Sequence, residues 1–196
     1  MLFRWVYAFF DLGIEYIQVL MDELTKPMDI RPKIKLTLSP LDNAFELTGK
    51  IFLVVMWGLT VYTFFKLPTT IPIHFNASGQ ADGYGNKITL LFLPAIASLL
   101  YVGLTQLNKY PHIFNYMVDI TEDNAPRQYA IATRILRFIK VAILLIFSLV
   151  ILFVYLTILG VTNGLGSWFL PFTFALFLVP VIITISQSLK KKNNVS

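Results

Sequence analysis

Apolar residues gather into long runs along this chain, and the segments between the runs hold most of the prolines, glycines and charges. A helix needs about 20 mostly apolar residues to cross a hydrocarbon core roughly 30 Å thick, at about 1.5 Å of rise per residue. Four segments meet that length. The first is centred on Ile51 to Phe65 between Lys50 and Lys66 and is completed by the semi-apolar Ala44 to Gly49. The second runs from Ile88 to Leu107. No charged residue falls between Lys140 and Lys190, and Thr162-Asn163-Gly164-Leu165-Gly166-Ser167 divides that stretch into a third span ending near Leu159 and a fourth starting near Trp168. These two form a helical hairpin with a tight turn. At the start of the chain the pattern changes. Arg4, Asp11, Glu15, Gln18 and Asp22 recur at helical spacing, with Phe3, Phe9, Phe10, Ile14, Ile17, Leu20 and Met21 between them. That pattern predicts an amphipathic helix, either in the membrane interface or packed on a partner protein. A basic region followed by an uninterrupted apolar core and a small-residue cleavage site is missing there, so a signal peptide is not expected.

The predicted fold is an all-α integral membrane protein with four transmembrane helices and an N-terminal amphipathic interfacial helix. It divides into an amphipathic helix and basic connector (residues 1–40), a first helical hairpin with an outer loop (41–110), a connection and helix entry (111–140), and a second helical hairpin with a basic tail (141–196). Composition agrees with this class, since 56% of the residues are hydrophobic and 14% are charged.

Charge adds orientation. Thr25 to Pro40 carries Lys26, Arg31, Lys33 and Lys35 with three prolines, which predicts an extended basic connector beside anionic lipid headgroups. Basic residues also collect between the second and third spans, at Lys109, Arg127, Arg134, Arg137 and Lys140, and in the tail at Lys190-Lys191-Lys192. The other two connections hold only Lys66 and Lys87, or none. Positive-inside bias therefore places both termini and the middle connection in the cytoplasm, with loop 67–87 outside. The net charge of +5 is explained as a topology signal. No groove of basic and aromatic residues points to nucleic acid. Membrane lipids and a membrane-protein or peptide partner are the expected neighbours. With no cysteine, disulfides and thiol catalysis are excluded.

The candidate chemistry sits in two loops. Outside, the loop 67–87 combines Pro68 and Pro72, which end the first helix and hold the chain extended, with Gly79, Gly83 and Gly85, which permit turns. His74, Asn76 and Asp82 could converge there on a metal or other ligand, or could simply satisfy backbone groups in a compact loop. On the other side, Pro111-His112-Ile113-Phe114-Asn115-Tyr116 leads into Asp119 and Thr121-Glu122-Asp123-Asn124. His112, Asn115 and Glu122 are the candidates in that segment, as part of an acidic metal or partner site. The structural alternative is helix entry, with Asn124 or Thr121 capping, Glu122 and Asp123 at the positive end of the dipole and Pro126 in the first turn. Within the span cores there is no Asp, Glu, Lys, Arg or His, so a proton pump or charge-relay transporter is not expected.

Pro72-Ile73-His74-Phe75-Asn76, Gly79, Asp82-Gly83, Lys87 and Pro94 together resemble the signature of a bacterial membrane domain family of unknown function. That family includes the membrane region of the immunity protein for the sporulation-delaying-protein toxin. The resemblance covers Phe45 to about Leu107 and implies a helical protein of the bacterial inner membrane. The chain departs from the longer immunity-type architecture in having four clear spans and an amphipathic start. The leading functional expectation is a non-enzymatic binding or accessory subunit of a membrane complex. The alternatives are a protein conferring immunity to, or sensing, a toxin or peptide, and a metal-dependent membrane enzyme built on His74, Asn76 and Asp82 or on His112 and the acidic cluster. No cofactor is specified by the pattern.

Overall fold

A computed structural model describes residues 31–190; the expected amphipathic helix near the N-terminus lies outside the described residues. Helix α1 spans Pro40–Lys66. It begins earlier than the hydrophobic run because the local chemistry starts a helix there: the Asp42 amide donates to Ser39 Oγ, the Asp42 carboxylate accepts from the Ser39 amide, and Pro40 occupies the first turn. Leu67 is extended, as expected of a residue before proline, and ends the helix.

The outer loop is a β-hairpin, which corrects the all-α expectation. Strands β1 (Thr70–Phe75) and β2 (Ala81–Asn86) pair antiparallel, with register irregularities around His74. Ile71, Ile73 and Phe75 supply the β-branched and aromatic alternation that a short strand favours. Pro72 is tolerated because both strands of a two-stranded sheet are edges. The turn lies between the strands after Asn76, so Gly83 and Gly85 are strand residues, not turn residues.

A 3₁₀ turn over Lys87–Leu91 leads into helix α2 (Phe92–Leu107). Pro94 stands in the first turn of α2 and Pro171 in the first turn of α4, where a missing amide costs little. Helix α3 spans Ala125–Ile158 and helix α4 Phe169–Lys190, with Pro180 inside α4. All four helices are long and apolar enough to cross a membrane. The 34 residues of α3 reach about 50 Å at 1.5 Å per residue. That is more than a hydrocarbon core, so one end of α3 projects beyond it.

Helix α3 is the central post, packed by α1, α2 and α4. Met56, Ala97, Leu144, Ile151 and Val154 fill the space around it, and Ile71 of the hairpin and Leu90 close the cluster at the hairpin end. At the opposite, basic end, Ile120, Ala125 and Tyr129 form a second cluster that Ile34 and Leu36 cover. The described part of the connector, from Arg31 on, is therefore docked on protein. Lys33 and Lys35 alternate outward while Ile34 and Leu36 turn inward, and Arg31 donates from Nη1 to the carbonyl oxygens of His112 and Phe114.

Candidate functional site

The hairpin end carries the first group of candidate residues. His74 and Asp82 face each other across the strands and share a hydrogen bond, with 71% and 42% of their side chains exposed. An ion pair that open contributes at most about 1 kcal/mol, so it is a surface feature and not a support of the fold. Asn76 serves the turn: its Oδ1 accepts from the amides of Ser78 and Gln80, each at 3.0 Å. His74 and Asp82 are thus brought together, while the side-chain carbonyl of Asn76 is occupied by its own backbone.

The hairpin tip also clasps the turn between α3 and α4. Gln80 and Gly164 form an antiparallel bridge, and the Gly79 carbonyl accepts from the Leu165 amide at 2.7 Å. Gly79 (φ 75°) and Gly164 (φ 130°) make the close approach possible. A Cβ on Gly79 would lie 2.3 Å from the Gly166 oxygen, and one on Gly164 would lie 2.1 Å from the Gly79 oxygen. A recess of about 410 Å³ opens at this joint, lined by Ser78, Gln80, Thr162, Asn163, Ser167 and Trp168 among others. The hairpin and the α3–α4 turn make one platform. Both turns are glycine-rich in sequence, but nothing in the pattern of either pairs it with the other.

Lys87 holds the platform to the bundle. Its ammonium donates to the carbonyls of Phe64 and Leu67, each at 3.0 Å, and lies 4.8 Å from the Phe64 ring centroid. A cation on the last carbonyls of a helix satisfies orphan acceptors and complements the dipole. Lys87→Met is expected to lower stability by about 1–2 kcal/mol, read as a lower thermal midpoint in detergent; an unchanged midpoint would remove Lys87 from this role.

At the basic end, the middle connection uses its polar groups to enter α3. The Thr121 amide donates to Asn124 Oδ1, the Asn124 amide lies 3.4 Å from Thr121 Oγ1, and Asn124 Nδ2 donates to the Asp119 carbonyl. Asn115 and Glu122 are exposed and His112 is half-buried, its ring edge-on to Tyr110. Among the described residues, no three His, Cys, Asp or Glu side chains come together, so His112, Asp119, Glu122 and Asp123 do not assemble into a ligand set. Tyr116 Oη donates to the Pro111 carbonyl, and burial, followed by the neighbouring Tyr129, pushes the Tyr116 phenol above its ordinary value. It stays a neutral donor.

Five ionic side chains that the sequence reading left out of the site form a network between α1 and α3. Arg134 Nε donates to Asp42 Oδ1 at 2.8 Å, and Nη2 reaches Asp42 Oδ2 and Ser39 Oγ. Arg137 Nε donates to Glu46 at 3.0 Å, and Lys140 Nζ bridges both Glu46 oxygens and Thr105 Oγ1. The side chains of Arg137 and Lys140 turn inward, and Lys140 is only 1% exposed. The available signal was spacing. Asp42 and Glu46 stand four apart on one helix, and Arg134, Arg137 and Lys140 three apart on another, so each set shares a face.

This arrangement defines a multi-pass helical membrane protein with a β-hairpin platform at one end and a partly buried ion-pair network at the other. A family model described as a domain of unknown function (DUF1648) matches residues 51–97, from within α1 through the hairpin into α2. The chain is also similar to an uncharacterized protein of Archaeoglobus fulgidus, 33% identical over 73 residues, a match covering 33% of this chain and 40% of that relative. No solved structure matches.

Proposed function

We propose that the protein is a non-enzymatic binding or accessory subunit that holds a membrane-protein or peptide partner against its hairpin end. It would sit in the inner membrane of a bacterial cell with both termini and the basic end in the cytoplasm and loop 67–87 outside, as the distribution of lysine and arginine favours. The observation that carries the reading is the clasp between the hairpin tip and the α3–α4 turn. It makes two outer connections into one pre-organised surface that presents His74, Asp82, Ile73 and Tyr84 to solvent. Preorganisation of this kind lowers the ordering cost of binding.

A photoreactive residue at Tyr84, which is 60% exposed, tests this in native membranes. One dominant protein or peptide adduct supports the reading. Its absence from every outer-face position would end it. His74→Ala is expected to weaken that adduct several-fold while leaving folding stability within about 0.5 kcal/mol, as for an exposed side chain. If the adduct is a secreted peptide, and deleting the gene sensitises cells to it, the partner is a toxin and the immunity reading takes precedence. Stoichiometric metal lost in His74→Ala would favour the metalloenzyme reading.

A further inference from the structure

We propose that the crevice between α1, α3 and α4 at the basic end binds an anionic phospholipid, with its phosphate on Arg134 and one acyl chain along the apolar wall. The crevice has a volume of about 240 Å³. Its walls are apolar, including Leu41 and Phe45 of α1, Phe138 of α3, and Pro180 and Ile183 of α4, and the one charged group among them is Arg134. A second hollow of about 610 Å³ opens on the other flank of α4, and Ile131, Ile135 and Thr184 wall both. Helix α4 is packed at its other end, where Phe169 joins Ile146 and Leu165, and at the basic end it meets α3 where Ser188 Oγ donates to Gln128 Oε1 at 2.7 Å. It thus leaves α3 open on both flanks toward the basic end.

Charge selects the occupant. In the network three cations, Arg134, Arg137 and Lys140, share two carboxylates, Asp42 and Glu46. The surplus positive charge falls where water is scarce, and an unbalanced charge there is costly. Arg134 is the cation of the three that reaches outward, at 38% exposure against 7% and 1% for the other two. Its bonds to Asp42 and Ser39 use Nε and Nη2, which leaves Nη1 for a further acceptor. A guanidinium is well suited to phosphate, and a headgroup with a net negative charge balances the network where a zwitterionic one does not. The surrounding bilayer supplies such a molecule, with the acyl chain that the apolar walls match.

The test uses the full chain reconstituted in nanodiscs containing equal amounts of phosphatidylglycerol and phosphatidylcholine, then released into mild detergent for native mass spectrometry. About one phosphatidylglycerol per chain is expected to remain bound, at least five-fold over phosphatidylcholine. Arg134→Gln should abolish that preference. Thr184→Trp, which fills the crevice without touching the ionic network, should displace the lipid while the thermal midpoint holds. Retention of neither lipid by the native chain, equal retention of both, or full retention in Thr184→Trp would each overturn the proposal. A cysteine at Thr184 that crosslinks to one placed in residues 1–24, or to a second copy, would also overturn it by showing a protein occupant; the chain's lack of cysteine makes that experiment clean.

Discussion

Glu46→Gln is expected to lower the unfolding free energy by about 3–5 kcal/mol, the usual cost of removing one partner from a buried ion pair. Glu46 is the shared acceptor of Arg137 and Lys140, and glutamine keeps one neutral acceptor oxygen but no charge, so the Lys140 ammonium is left with neutral partners alone, Thr105 Oγ1 and the face of Tyr101, 5.0 Å from the ring centroid, among them. With a side chain 1% exposed, Lys140 is shielded from water. Thermal unfolding of the detergent-solubilised protein reads the effect. The informative companion is the double substitution Glu46→Gln with Lys140→Met, because it removes the stranded charge. It should recover much of the loss, whereas two additive losses would mean that each residue acts through packing alone. A fall of less than about 1 kcal/mol in the single variant would show that the network is well hydrated and belongs with surface pairs.

The second large effect is expected at the outer clasp. Gly79→Ala and Gly164→Ala each place a Cβ within 2.3 Å of a main-chain oxygen, and both positions have φ in the range that L side chains rarely adopt. The left-handed conformation alone costs roughly 1–2 kcal/mol, and the overlap with backbone has no flexible side chain to absorb it. Since the cheapest relief is separation of the two connections, the clasp should open with the bundle still folded. Hydrogen exchange at the Leu165 amide, which donates to Gly79, should accelerate strongly, and the Tyr84 adduct should disappear. Gly58→Ala is the control: a Cβ there meets nothing within 4 Å, and replacing a helical glycine with alanine should if anything stabilise, by up to about 1 kcal/mol. Unchanged Leu165 exchange in both clasp variants would show that the connections are not coupled.

The four spans were legible in the sequence because each depends on one local quantity, the length of an apolar run bounded by charge or by helix breakers. The entry to α3 was legible in part for a similar reason, since Thr121 and Pro126 act within about one turn of chain, although the Asn124 side chain bonds back to Thr121 and Asp119 and caps no amide of α3. The hairpin was missed because Pro72 and three glycines read as turn formers, while the strand alternation of Ile71, Ile73 and Phe75 is only six residues long. What determines a strand here is pairing, and Thr70 opposite Asn86 is not a local relationship. The same applies to the site. His74 and Asp82 were picked out by residue type and do meet, but Asn76 was picked out by the same rule and proves to serve the turn. Glu46 lies inside the semi-apolar Ala44 to Gly49 at one span boundary and Lys140 stands at another, and nothing local pairs them. Only the packing of α1 on α3 turns those boundaries toward each other.

The clasp also orders the life of the molecule. Its two halves belong to the first and last pairs of helices, so a chain emerging from the ribosome completes the hairpin long before the residues that fasten it exist. Until Leu165 arrives, the carbonyl of Gly79 must take water as its partner. The joined face is therefore a late product of biogenesis. A partner that reads the joined surface will ignore half-made chains and recognise only copies in which all four helices have been inserted.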